Sequence, residues 1–234
     1  MSKTKIEWTN ASWNPVTGCV KISDGCKNCY AERMAKRLKA MGNQKYRAGF
    51  FPVSHSSEKY ICEPFHWKKP CMVFVCSMSD LFQTGVSDDF INEVLFVAKY
   101  NSRHTFQFLT KRSGRLLDFG LYYSNFWVGV SVENQKNIRR IEHLKMSSAN
   151  LKFISFEPLL GPVDVDLTGI DWVIVGGESG SGARPIKIEW VRSIRDQCIE
   201  KKIPFFFKQW GGVNKKKAGR LLDGREWSEM PRRG

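Results

Sequence analysis

Trp127-Val128-Gly129-Val130-Ser131, then a stretch over 134–145 with Ile138, Ile141 and Leu144 at helical spacing, then Leu151-Lys152-Phe153-Ile154-Ser155-Phe156, decide the fold. Two short apolar runs flank one amphipathic stretch. A short continuous apolar run suits a parallel strand that is covered on both faces. The middle stretch has the period of a helix laid over such strands. Parallel neighbours need a crossover of this kind, because no tight turn can join them.

The unit recurs outward in both directions. Met72-Val73-Phe74-Val75-Cys76 and Thr105-Phe106-Gln107-Phe108-Leu109 precede it; Trp172-Val173-Ile174-Val175 and Pro204-Phe205-Phe206-Phe207 follow. A weaker strand is expected at 14–18. Helices are expected over 31–41, 88–100 and 188–201. Residues 157–171 read as a loop, since Pro158, Gly161, Pro162 and Gly169 break the periodicity. Repeated strand–helix units imply right-handed crossovers and a parallel sheet. The expectation is an α/β fold: a partial (β/α) barrel of six to seven mostly parallel strands, with an open doubly wound sheet as the alternative. One domain is expected over 1–212, and a basic extension over 213–234.

In either architecture ligands gather at the C-terminal strand ends. The polar residues there are Ser77, Ser79 and Asp80; Thr110, Lys111 and Arg112; Ser131, Glu133 and Asn134; Glu157; Gly176, Gly177 and Glu178; Lys208 and Gln209.

Composition narrows the class. Lys plus Arg number 37 and Asp plus Glu 23, a net charge of +14, with 42% hydrophobic residues. That is a globular composition, and it excludes a mostly disordered chain. No window approaches the roughly 18–20 unbroken apolar residues of a membrane span. No apolar stretch of signal-peptide length opens the chain, so a cytoplasmic location is the default expectation. The charge points to a polyanionic partner, DNA or RNA above all. Beyond the last strand, Lys215, Lys216, Lys217, Arg220, Arg225, Arg232 and Arg233 stand with Trp210 and Trp227. Cations with aromatic rings are a means of holding single-stranded nucleic acid.

The densest chemistry is Cys19-Val20-Lys21-Ile22-Ser23-Asp24-Gly25-Cys26-Lys27-Asn28-Cys29. Three thiols within one short loop read as soft-metal ligands. Structural zinc needs a fourth protein ligand, here from Cys62, Cys71, Cys76, His55 or His66. A [4Fe–4S] cluster held by three cysteines leaves one iron open. Three unligated thiols are the remaining reading. Cys71, Cys76 and Cys198 fall in apolar surroundings and read as core residues.

Gly176-Gly177-Glu178-Ser179-Gly180-Ser181-Gly182 is glycine-rich after a strand. It reads as a phosphate cradle or as a turn that needs positive φ. It fits neither G-x-G-x-x-G nor a P-loop, and it misses the register of a G-x-S-x-G elbow. The last histidine, His143, lies upstream of it, against the usual order of a serine hydrolase.

Several motifs together carry a family resemblance: Ile6-Glu7-Trp8-Thr9, Trp13-Asn14-Pro15-Val16-Thr17-Gly18-Cys19, Ser77-Met78-Ser79-Asp80-Leu81-Phe82, Gly129-Val130-Ser131-Val132-Glu133-Asn134, Phe156-Glu157-Pro158-Leu159 and Val175-Gly176-Gly177-Glu178-Ser179-Gly180. Over residues 5–212 the chain resembles the phage-type three-Cys-motif family of radical S-adenosylmethionine-like iron–sulfur proteins. The resemblance implies a [4Fe–4S] cluster on Cys19, Cys26 and Cys29, with S-adenosylmethionine bound at the open iron. It implies that Ser77, Ser79 and Asp80 meet the cofactor's amino group, and that Ser131 and Glu133 meet its ribose or carboxylate. Gly176, Gly177 and Glu178 resemble the family's Gly-Gly-Glu, although that motif normally follows the second strand. The cysteine spacing is C-x6-C-x2-C where the family at large has C-x3-C-x2-C, and Asn28 stands where an aromatic is usual. The implied function is a radical S-adenosylmethionine enzyme that modifies or repairs nucleic acid or a nucleotide. The alternatives are a non-catalytic iron–sulfur or zinc nucleic-acid-binding protein, or a subunit active only with a three-Cys-motif partner protein.

Overall fold

The structure is a computed structural model that describes residues 4–232. Arg233 and the side chains of Lys215 and Lys216, read above as part of a basic extension, lie outside the described residues.

Seven strands form one sheet: β1 (Ala11–Trp13), β2 (Met72–Val75), β3 (Thr105–Thr110), β4 (Phe126–Ser131), β5 (Leu151–Phe156), β6 (Trp172–Gly176) and β7 (Phe205–Gln209). Each pairs in parallel with the next in sequence, and β1 does not pair with β7. The order never reverses, so the sheet is singly wound and open: a partial barrel rather than a doubly wound sheet. Helices α1 (Tyr30–Ala40), α2 (Asp88–Tyr100), α3 (Arg139–Met146) and α4 (Ile188–Glu200) lie in the connections.

Period-2 alternation divides each strand between two cores. Val73, Val75, Phe106, Phe108, Val128 and Val130 point into the larger core with Ile91, Val94, Ile141, Leu144 and Ile194 from the helices. Met72, Phe74, Trp127, Phe153, Trp172 and Phe206 fill the inner face with Trp8. Gly129 makes this inner layer possible, because a Cβ there would stand 2.6 Å from the Phe153 ring. The barrel interior is therefore plugged with aromatics at this level, and its remaining space opens at the C-terminal strand ends.

Three local departures from the sequence expectations have physical causes. The first sheet strand is Ala11–Trp13 and not 14–18; Val16–Thr17 leave the sheet and pair antiparallel with Val53–Ser54. Pro15, between them, has no N–H to continue a ladder. The helix expected over 134–145 is split into a 3-10 turn at Gln135–Asn137 and helix α3, because the Asn134 side chain accepts from Lys136 N and caps the first turn separately. Beyond residue 212 the chain returns to the sheet: Trp227 is buried, its indole N–H donates to Leu222 O at 3.2 Å, and the Trp172 indole donates to Glu229 O at 2.9 Å. Among the described residues no helix is long and apolar enough to cross a membrane.

Candidate functional site

A cavity of about 430 Å³ opens at the C-terminal strand ends, and Cys19, Cys26 and Cys29 all line it. All three are free thiols of intermediate exposure, whereas Cys71, Cys76 and Cys198 are buried. The loop that carries them is pinned at its start. Gly18 has φ +75°, and a Cβ there would stand 2.0 Å from Phe51 O. Cys19 N donates to Phe50 O at 3.0 Å, and Val20 N to the Gln83 side chain at 3.2 Å. The chain then makes a 3-10 turn at Asp24–Cys26, and Cys29 is the N-cap of α1.

Among the described residues no three Cys, His, Asp or Glu side chains are grouped to hold a metal ion. The distant fourth ligands that zinc would need are therefore not gathered at the loop. The three cysteines line one cavity, but they are not gathered into such a group either. Burial pushes the Cys19 thiol up to about 11, against the pull of Arg112, whose Nη1 stands 3.4 Å from Sγ. Cys26 is also penalised by burial, yet backbone hydrogen bonds from Ile22 and Ser23 and the charge of Lys111 bring it below the usual thiol range.

Asp80 is buried and fully engaged. It accepts from Thr110 Oγ1 at 2.7 Å, Lys111 N at 3.0 Å, Phe82 N at 3.0 Å and Arg112 Nη1 at 3.0 Å. It thereby aims Arg112 at the first cysteine, and this arrangement ties the end of β3 to the loop.

Two further carboxylates hold the cysteine loop. Glu133 is wholly buried and accepts from Ser23 Oγ at 2.6 Å, Arg140 Nη1 at 2.8 Å and Lys111 Nζ at 3.2 Å. Burial would raise its pKa, but Lys111 and Arg140 hold it below the usual carboxylate range. Gly25 allows the approach, since a Cβ there would lie 2.5 Å from Glu133 Cγ. Glu178 accepts from Asn28 Nδ2 at 2.9 Å and from Arg184 N, Nε and Nη2 at 3.0, 2.9 and 2.5 Å. Burial opposes ionisation there too, but the bonds from Arg184 and Asn28 lower its pKa to about 2. Arg184 Nη2 also donates to Asp24 O at 2.9 Å, and Arg33 to Ser179 O at 2.6 Å. The glycine-rich loop thus clasps the cysteine loop and α1. Asn28, at the position where an aromatic is usual, is one of the three residues fastened by this clasp, with Asp24 and Arg33.

The other expected site residues are placed as follows. Ser77 Oγ donates to Asn14 Oδ1 at 3.2 Å, and its carbonyl accepts from the Tyr30 hydroxyl. Ser79 donates to Gly18 O and accepts from Gln83 Nε2 at 2.8 Å. Ser131 lines the cavity, and its carbonyl accepts from Arg140 at 2.7 Å. Gly176 and Gly177 make room for neighbours: a Cβ would stand 2.5 Å from Glu157 Oε1 and 2.0 Å from Trp210 O, respectively. On the far wall Glu157 pairs with Lys208 at 3.0 Å and accepts from Ser155 at 3.2 Å. Ser23, Arg140 and Arg184 were missed as site residues in the sequence, because none lies at a strand end. Arg140 and Arg184 follow their carboxylates by seven and six residues, whereas Ser23 meets Glu133 across 110 residues of chain.

A family model described as "Protein of unknown function (DUF5131)" matches residues 3–231. No curated protein matches. A solved structure described as a spore photoproduct lyase complexed with dinucleoside spore photoproduct is similar, at 11% identity and a TM-score of 0.41, covering 78% of this chain. This chain spans 58% of that chain's length.

Proposed function

We propose that this chain, which belongs to the DUF5131 family, is an iron–sulfur protein of the radical S-adenosylmethionine type, with a nucleic acid or nucleotide as its substrate. One observation carries the reading: three free, partly exposed thiols of a single loop line one cavity at the C-terminal ends of a parallel partial barrel. Cys19, Cys26 and Cys29 would hold the [4Fe–4S] cluster, and the cavity floor would receive the cofactor and substrate. A cluster held there and reduced by an external electron donor would supply the one-electron reduction that splits a sulfonium carbon–sulfur bond into a thioether and a carbon radical.

The protein's own residues orient the site and exclude water. Arg112 lies against the Cys19 sulfur and places a positive charge beside the metal site. Asp80, Glu133 and Glu178 fix the loop at three places. Ser131, Lys111 and the Glu157–Lys208 pair are the polar groups of the cavity wall that would meet a ligand. The net charge of +14 suits a phosphate-bearing substrate. Anaerobic purification with iron and sulfide analysis tests the first half, and about four irons per chain are expected. An assay for 5′-deoxyadenosine after reduction with S-adenosylmethionine tests the second. Stoichiometric zinc without iron would sink the reading; iron without 5′-deoxyadenosine would leave a non-catalytic cluster protein or a subunit that needs its partner.

A further inference from the structure

The positive charge is not spread evenly. Residues 19–49 carry eight Lys or Arg and two Asp or Glu, a balance of +6 within a molecule of +14. The segment comprises the cysteine loop and the head of α1, which line the cavity, and the rest of α1 with the turn after it. α1 buries only Ala31 and Ala35, so its other faces are available. Glu32 is taken by Lys21 at 2.6 Å and Lys36 at 3.0 Å. Lys27, Arg37, Lys39 and Arg47 are exposed and make no ion pair among the described residues. Three cations toward the end of the chain are committed. The Arg225 guanidinium lies 3.4 Å over the Trp227 ring, Arg220 lies over Phe206 and bonds Ser228, and Lys208 pairs with Glu157.

A second observation concerns rings. Phe51 is 77% exposed, and the chain just before it touches the site: Phe50 lines the cavity, and its carbonyl holds Cys19 N. Tyr30, at the head of α1, is half exposed and also lines the cavity. Planar apolar rings beside unpaired cations are what a strand with unstacked bases requires, with phosphates on the cations and a base on a ring. A base must also leave a duplex before it can enter a cavity of this kind.

We propose that α1 and residues 43–51, which adjoin the cavity through Tyr30 and Phe50, form the binding surface for a single-stranded nucleic acid: Arg37, Lys39 and Arg47 meet its phosphates and Phe51 stacks a base beside the cavity mouth. This rests on the nucleic-acid reading of the substrate and places it away from the C-terminal lysines.

Anisotropy titrations of a single-stranded oligonucleotide over a salt series decide the matter, with iron content measured for each protein. Arg37→Ala/Lys39→Ala/Arg47→Ala should flatten the plot of log affinity against log salt by about two units, at roughly 0.7 per lost phosphate contact. Arg37→Lys/Lys39→Arg/Arg47→Lys should retain the wild-type slope, which separates charge from folding. Phe51→Ala should weaken binding on the order of tenfold without changing the slope. If Lys215→Ala/Lys216→Ala/Lys217→Ala flattens the slope and Arg37→Ala/Lys39→Ala/Arg47→Ala does not, the surface is wrong while the nucleic-acid reading stands. If polyglutamate binds and oligonucleotides do not bind at low salt, both fall in favour of an acidic protein partner. Loss of iron in the wild type would strike the cluster reading instead, and it is scored separately from binding.

Discussion

Replacing Glu133 by Gln should loosen the cysteine loop and destabilise the whole fold. The carboxylate is 0% exposed and faces two cations, Arg140 at 2.8 Å and Lys111 at 3.2 Å, as well as the Ser23 hydroxyl at 2.6 Å. Gln keeps the shape and removes the charge. Two cations are then left in a poorly hydrated place with an amide for a partner. Removing one member of a buried ion pair costs about 3–5 kcal/mol. The side chains of Arg140 and Lys111 remain 10% and 16% exposed, so some water reaches them and the lower end applies, about 3 kcal/mol. For a chain of this size that is a fall in Tm on the order of 6–12 °C. Ser23→Ala alone removes one hydrogen bond to a charged group, about 1.5–3 kcal/mol. The two changes share a bond, so the double variant should fall short of their sum by more than about 0.5 kcal/mol. Urea unfolding of the four proteins measures this, and the labelling rate of Cys26 by a thiol reagent reads the loop itself. A Glu133→Gln protein of wild-type stability and unchanged Cys26 labelling would refute the latch, and would return Glu133 to the role of a ligand-facing group.

Other outcomes follow from the same geometry. The pKa of Glu178 lies at about 2 against an ordinary 4.5, so its ion pair contributes stability that is fully present above pH 4.5 and is lost as pH falls toward 2; urea titrations should show this acid-labile component in the wild type and not in Glu178→Gln. Cys26→Ala should abolish iron binding in anaerobic preparations. Cys198→Ala, on the buried face of α4, should keep the iron and cost about 1 kcal/mol; equal iron loss in both would overturn the division into ligands and core residues. Gly177→Ala would place a Cβ 2.0 Å from the Trp210 carbonyl, where only backbone movement can relieve it, and should cost about 1–3 kcal/mol by thermal melt. Gly176→Ala meets only the end of the Glu157 side chain and should melt closer to wild type.

The sheet was legible in the sequence because parallel strands buried on both faces must be nearly all apolar. Each expected run from Met72 to Phe207 is a strand of the sheet, displaced at most slightly at its ends. Their C-terminal ends mark the cavity for the same reason: the chain leaves the apolar layer there and turns polar. The cysteine loop stood out through its thiol density alone, and the core character of Cys71, Cys76 and Cys198 through their apolar neighbours. What only the tertiary structure decided is which polar groups are spent on each other. Asp80, Glu133 and Glu178 read in the sequence as groups that meet a cofactor; folded, each is engaged by cations and hydroxyl or amide groups from segments up to 150 residues away, as Asn28 is from Glu178. The choice between an open barrel and a doubly wound sheet was likewise decided by strand order. Local patterning specifies how a segment is buried. Arg140 and Arg184 lie within seven residues of Glu133 and Glu178, but Ser23 and Asn28, which tie these carboxylates to the cysteine loop, reach them only along the three-dimensional path that brings distant segments together.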